Sequence, residues 1–308
     1  MDMQLNETQQ AIHDSCARLL ERAAGANRAR SLRAAEDFDR PLLEEMEAAG
    51  FLGLFADEDA GPLVAALLTE WTAQSAGLAP VGHRLLTAPS IIAGELPLVV
   101  AVADRASLGA VRFAAEADLL ILVDGDEARV ARRGEFTAAP VRTKFGYPMA
   151  QVSDVGGEAL AAGSGAVARR WWRVALAAEI AGTARAAIDL TIRYLQDRVQ
   201  FDRPIASFQA VQHRLVECHV LVDAAQWTTR EAAYHGAPAD LAAGAAISAS
   251  QAAHRVFFET HQLTGAMGFT LEYDLHLWTM RLQTLRHEMQ GMRTHARDLV
   301  AARWPAAS

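Results

Sequence analysis

The sequence predicts a mainly α protein with a small β region in its middle. Apolar or buried-type side chains at Trp172, Leu176, Ile180, Ala184, Ile188, Thr191 and Leu195 recur at the period of a helix. Helix-like runs follow over about 207–235, 239–263 and 271–303, and four long antiparallel helices make a bundle. Between residues 96 and 163 the pattern changes. PLVVAVAD, ADLLILVDGD, ARVARRGEF and AQVSDV are short runs rich in Val, Leu and Ile, broken by Gly and Asp. The expected organisation is an N-terminal helical domain over 1–95, a middle β-domain over 96–163 and a C-terminal four-helix bundle over 164–308.

Each element has a local reason. Residues 4–25 read as a helix, with Leu5, Ile12, Cys16, Leu19 and Leu20 as its apolar positions. Asn27 to Asp39 is polar and reads as a loop with a helical piece. Pro41 to Gly50 is a short helix, with proline early and glycine at its C-terminal end. Gly61-Pro62 opens another, through Ala65, Leu68, Trp71 and Ala76, and a fourth runs from about Pro80 to Gly94. Asp124-Gly125-Asp126 is a turn signal inside the middle region. On the first bundle helix, Arg169, Arg173 and Asp189 fall largely away from the apolar face. Met280, Met289 and Met292 read as a core stripe, and Trp171 and Trp172 as core or interface anchors.

Composition excludes several classes of function. The chain has 308 residues, 51% of them hydrophobic, enough for a large core and two or three domains. A net charge of −8 argues against nucleic acid or an anionic membrane as the main partner. Lys144 is the only lysine, so nearly all basic charge is arginine. Cys16 and Cys218 form no metal-spacing motif and read as reduced core thiols of a cytoplasmic protein. The histidines lack metal-ligand spacing, so no metal is expected. No signal peptide and no uncharged apolar run of bilayer length is visible.

The stretch Tyr194 to Gln212, YLQDRVQFDRPIASFQAVQ, joins the first two bundle helices. Pro204 ends the first helix, and Asp202 and Ser207 are both candidate N-caps for the second. Arg198, Arg203, free backbone N–H groups and a helix N-terminus then share one small region, which suits a phosphate or pyrophosphate. The same residues also suit an ordinary solvated arginine-rich turn.

The wording of this stretch resembles the acyl-CoA dehydrogenase family, whose C-terminal helical domain carries a run like R-x-Q-F-G-R-P-I-x-x-F-Q. The resemblance extends upstream through Ala178, Glu179 and Gly182. Downstream, Gln262-Leu-Thr-Gly265-Ala-Met-Gly268-Phe269 is similar to the family's Q-x-x-G-G-x-G-[FY] turn, and MDMQLNETQQAIHDSCARLL is similar to its opening helix. The resemblance implies an acyl-CoA dehydrogenase-like fold and a flavin adenine dinucleotide (FAD) shared across a subunit interface. Arg198 would meet the pyrophosphate, with Gln200, Phe201 and Gln209 beside it, and Gln262, Gly265 and Gly268 would receive the adenine end. Asp202 stands where many members have Gly, and Ala266 replaces the second of the paired glycines. A positive φ at Ala266 would cost about 1 kcal/mol or more.

Other family features are missing. No T-E-x-x-x-G-S-like run and no W-x-[TS] strand occurs in 96–163, so the middle β-domain looks reduced. The family's catalytic Glu, counted from Glu272-Tyr273, falls on Met289. In a continuous helix the neighbouring Glu288 would point about 100° away. An alternative family position for the acid maps near Trp172, where none is present, and Glu179 reads as structural.

Residues that would complete a neighbour's flavin site are kept, and those for the chain's own site are not. That asymmetry resembles the shorter subunit of heteromeric α2β2 acyl-CoA dehydrogenases known from actinobacterial steroid degradation. It implies a longer homologous partner that carries the acyl-CoA, with electron-transfer flavoprotein as a candidate electron acceptor. It also implies α,β-desaturation of a steroid-derived acyl-CoA, with no catalytic residue on this chain. Two alternatives remain: a self-sufficient homomeric enzyme with Glu288 as base, and a flavin-free structural subunit.

Overall fold

The computed structural model describes residues 5–305. Gln4, the first residue of the expected opening helix, and the last three residues of the expected bundle lie outside them. The N-terminal third is helical. Helix α1 (Glu7–Ala23) starts at a capping box, in which the Asn6 side chain accepts from Gln9 N and the Gln9 side chain accepts from Asn6 N. The polar stretch expected to be mostly loop is helix α2 (Ala26–Ala35). Its alanines and arginines are good helix formers, and this outweighs the weak apolar pattern. Helix α3 (Arg40–Ala48) is capped by Asp39, and α4 (Gly61–Gln74) has Pro62 in its first turn. The expected helix over 80–94 is only a single wide turn, His83–Thr87, closed by Ala88 N to His83 O. Pro89 lacks the N–H that would continue it.

The middle region forms two small sheets. Strands β1 (Val100–Asp104), β3 (Leu119–Asp124), β4 (Glu127–Arg132) and β7 (Glu158–Ala159) make one, in the order β1-β3-β4-β7. Strands β2 (Val111–Arg112), β5 (Thr137–Val141) and β6 (Met149–Ser153) make the other, in the order β2-β6-β5. The β3–β4 hairpin turns at Gly125, whose φ of 59° is the conformation glycine adopts without steric cost. β1, β2 and β3 are buried runs, as expected of strands covered on both faces.

Helix α5 (Ser164–Asp197) is the axis of the molecule and touches α4 on one side and the remaining bundle helices on the others. It is buried nearly all round, so its apolar stripe is only part of its contact surface. Arg173, expected away from the core, is buried, with Nε 3.3 Å from His295 Nδ1 and its guanidinium paired with Asp298. Gly182 lets α4 approach closely: a Cβ there would lie 1.9 Å from Glu70 O. Helices α6 (Gln209–Tyr234) and α7 (Ala239–Thr264) run down and back, so the 198–209 joint and the end of α7 fall at the same end of the bundle.

The last expected helix is two. Helix α8 (His276–Leu285) ends, and α9 (Met292–Arg303) begins after a break in which Met289 and Gln290 have φ of 53° and 65°. Gly291 follows, also at positive φ. Among the described residues no helix is long and apolar enough to cross a membrane, and no group of three or more His, Cys, Asp or Glu could hold a metal ion.

Candidate functional site

Two places bring together the residues the sequence singled out. The first is the outer end of the bundle. The joint between α5 and α6 is a β-hairpin, with β8 (Val199–Gln200) paired to β9 (Arg203–Pro204). Its two loop residues, Phe201 and Asp202, have φ of 55° and 63°. Two consecutive positive φ values are the hallmark of the type I′ turn that matches strand twist. Asp202 therefore occupies the family's glycine position as a turn residue, and aspartate tolerates it better than most side chains. Neither Asp202 nor Ser207 caps α6, whose N-cap is Phe208 without a side-chain bond, because Ser207 Oγ donates to Pro204 O instead.

The hairpin leaves its side chains outside. Arg198, Gln200 and Gln209 are exposed, and Phe201 is 86% exposed. Gln200 bonds only its neighbour's carbonyl, Val199 O. The Arg203 guanidinium stacks 4.0 Å from the Phe208 ring centre, and Phe201 meets Phe208 edge-on. No carboxylate of the described residues pairs with Arg198, although most buried arginines of the chain are paired. At the same end, Gly265 closes α7 with φ 59° and ψ −140°, a glycine conformation, while Gln262 is exposed. Gly268 is buried, and a Cβ there would sit 2.1 Å from Thr264 Oγ1. Ala266 lies in the following 3-10 turn without positive φ, so the expected strain is absent. Tyr273 ties this segment to α5 by donating to Leu190 O and packing on Tyr194.

The second place is a cavity of about 540 Å³ between β1, β2, the start of β6, α5 and the α8–α9 break. Its floor is a buried network. Arg112 Nη1 donates to both oxygens of Glu179, at 2.9 and 3.0 Å, and Tyr147 donates to the same carboxylate at 2.7 Å. Arg112 Nη2 reaches Glu288 Oε1 at 3.2 Å, and Trp172 Nε1 donates to that oxygen at 2.7 Å. Arg112 Nε also lies 2.7 Å from Glu288 Oε2, without hydrogen-bond alignment, so that buried oxygen has no aligned donor. Burial opposes the Arg112 charge, but Glu179 and Glu288 outweigh it and hold the guanidinium above its ordinary value. Beside Trp172, burial and then the Arg112 charge push His83 down to about 3, so it is neutral.

This geometry corrects the expectation for Glu288. The break in the last helix turns its carboxylate into the cavity wall rather than away, because Met289 and Gln290 leave helical conformation there. Met289 lines the cavity instead of joining a continuous stripe, while Met292 is half exposed. Sequence reasoning missed Arg112, the centre of the network, and Tyr147. The available signal was an arginine inside the apolar run Ala110-Val-Arg-Phe-Ala, where a charge is retained only with partners.

Comparison with known proteins agrees with this architecture. Residues 168–304 match the family described as acyl-CoA dehydrogenase, C-terminal domain. Acyl-CoA dehydrogenase IpdE2 of Mycobacterium tuberculosis is 36% identical over 131 residues, 42% of this chain and 41% of that protein. Acyl-CoA dehydrogenase IpdE2 of Mycolicibacterium smegmatis is 28% identical over 293 residues, 90% of this chain and 93% of that protein. The chain therefore aligns with less than half of the first relative and nearly all of the second. Among solved structures, the ChsE4-ChsE5 complex from Mycobacterium tuberculosis superposes with a TM-score of 0.79 at 18% identity, over 100% of both chains. A Tcur3481-Tcur3483 steroid ACAD variant gives 0.79 at 20% identity, over 96% of this chain and 97% of that one. At these identities the superpositions show a shared fold. The chain has the acyl-CoA dehydrogenase fold, and its residues 168–304 match the acyl-CoA dehydrogenase C-terminal domain family.

Proposed function

We propose that this chain is one subunit of a heteromeric, FAD-dependent acyl-CoA dehydrogenase, completing the flavin site of a longer homologous partner. The observation that carries the reading is the contrast at Arg198. It is an exposed guanidinium without a counter-ion among the described residues, on a hairpin with an 86% exposed phenylalanine, whereas the arginine at the floor of the chain's own cavity is paired internally. A planar guanidinium suits the bidentate recognition of a pyrophosphate. Gln200, Phe201 and Gln209 stand beside it, and Gln262, Gly265 and Gly268 form the turn at the same bundle end that would receive the adenine half. A flavin held there would supply hydride acceptance, from the β-carbon of an acyl thioester. This chain's residues bind and orient the cofactor; the base that removes the α-proton belongs to the partner. A steroid-derived acyl-CoA is the proposed substrate class, supported by likeness to the Tcur3481-Tcur3483 steroid ACAD variant. Electron-transfer flavoprotein, the candidate acceptor that the family resemblance implies, is the proposed electron acceptor. Cytoplasmic location and an α2β2 assembly belong to the same proposal.

A second reading has its own observation: Glu288 does reach the cavity, where a homomeric enzyme would need its base. Its Oε1, however, accepts from Trp172 and Arg112, and its other oxygen is buried beside Arg112 Nε, out of reach of a substrate proton. Purification separates the readings. The chain alone is expected colourless, and co-expression with a longer homologue is expected to give a yellow complex with flavin absorbance. A yellow homomer with a full flavin complement would replace the proposal with the self-sufficient enzyme. A colourless complex would make the chain a structural subunit.

A further inference from the structure

The cavity has apolar walls, among them Val102, Val111, Phe145 and Met149, and a charged floor. Among the described residues Arg112 is its only cationic lining side chain, and that guanidinium already faces two carboxylates, Glu179 and Glu288. Asp104 adds another acid to the lining. His287 contributes no compensating charge, because burial and the Arg286 charge hold it below its ordinary value. Another buried cation, Arg281, donates to the carbonyls of Ala76 and Gly77 and does not line the cavity. The fixed charge around the cavity is therefore net negative, and among the described residues no free guanidinium or ammonium faces it.

A flavin ring does not fit such a site. A ring that accepts hydride gains anionic character and needs a cation or free donors at that point, and the one guanidinium present is engaged. An acyl thioester losing its α-proton makes the same demand on its oxygen. We infer that the cavity is a binding site for an uncharged, largely apolar small molecule, and that it selects against anions. Its volume of about 540 Å³ is in the range of small-molecule sites. Its walls supply apolar burial, and Gln283, Thr284 and Gln290 supply neutral hydrogen-bonding groups for a hydroxyl or carbonyl. The unbalanced acids penalise a carboxylate of the same size. This inference concerns the chain's own cavity and stands whether or not a partner shares a flavin at the bundle end.

The test is calorimetric titration of the full chain at pH 7.5 with cyclododecanol and with cyclododecanecarboxylate, which share a skeleton and differ in charge. The alcohol should bind at least tenfold more tightly. Glu288→Gln removes one floor charge and should narrow that ratio to within about threefold by strengthening carboxylate binding. Ala110→Trp, at an exposed position on the cavity lining, should weaken the alcohol at least tenfold. If Glu288→Gln does not fold, the ratio in the wild type together with the Ala110→Trp result decides. Carboxylate binding equal to or tighter than the alcohol, no binding of the alcohol, or alcohol binding untouched by Ala110→Trp would each overturn the inference.

Discussion

The floor of the cavity and the outer end of the bundle use the same materials in opposite ways. Both combine arginines with aromatic rings. At the floor, Arg112 is 5% exposed and spends its donors on Glu179 and Glu288, with Tyr147 and Trp172 completing the network. At the bundle end, among the described residues, Arg198 has no acidic partner, Arg203 stacks on the Phe208 ring, and Phe201 stands in solvent. Polar groups satisfied within one chain hold its parts together. Groups left unsatisfied at a rigid end are available to another surface. Here the middle strands are fastened to the bundle through Arg112, and the interaction-ready chemistry lies at the far end of α5.

Four measurements would break or sharpen that contrast. The largest effect belongs to Arg112→Met, which leaves two carboxylates buried without their cation. Removing one partner of such a network costs about 3–5 kcal/mol, so the unfolding midpoint in denaturant should fall strongly. A change below about 1 kcal/mol would mean that the floor is wet and the fastening unimportant.

Next is Arg198→Ala in the proposed complex. Losing a charged contact to pyrophosphate weakens flavin retention by about 2–4 kcal/mol where the site is buried, and less where it is wet. Arg198→Lys should recover only part, since lysine lacks the planar fork. Flavin kept equally by the Ala variant and the wild type through dialysis would remove Arg198 from the site.

The third concerns pH and tests the buried side alone. His83 at about 3 and His295 at about 4 are both held down mainly by burial. The unfolded chain, with histidines near 6.5, then binds more protons than the folded one as pH falls. The stability contributed by keeping these rings neutral is present above pH 6.5 and is lost progressively down to about 4 and 3. Between pH 7.5 and 5.5 the loss should be about 2–3 kcal/mol. Denaturant curves that coincide at the two pH values would show that the two rings are solvated.

The smallest expected effect is on turnover. In the proposed complex, Glu288→Gln should leave dehydrogenation within about threefold of wild type with flavin content matched, since one carboxylate oxygen is held by Trp172 and Arg112 and the other is buried. A drop of roughly a thousandfold would identify Glu288 as the base.

Most of the fold was legible because its signals are periodic. The stripe from Trp172 to Leu195 is buried throughout, and the Val-rich runs after residue 96 are strands. Arg173 was misplaced because α5 is covered on every side, so a helical period no longer distinguishes inside from outside. The positions of the bundle-end residues followed from the Tyr194–Gln212 wording, but the hairpin did not. Phe201 and Asp202 lack the glycine or asparagine that marks a type I′ turn. The cavity floor was the least legible part. Arg112, Tyr147, Glu179 and Glu288 are far apart in sequence, and only the packing of β2 on α5 and the α8–α9 break brings them together.

That break also decides how such a chain can vary in length. In an unbroken helix, one inserted residue rotates every later side chain by about 100°. Here α9 takes its phase from its own packing, where His295 is completely buried against Arg173. The segment 286–291 can absorb an insertion or deletion locally. Changing its length would exchange the side chain presented beside Trp172 while α9 stays in register, so a residue count carried across it from another protein does not identify the side chain that occupies the cavity wall.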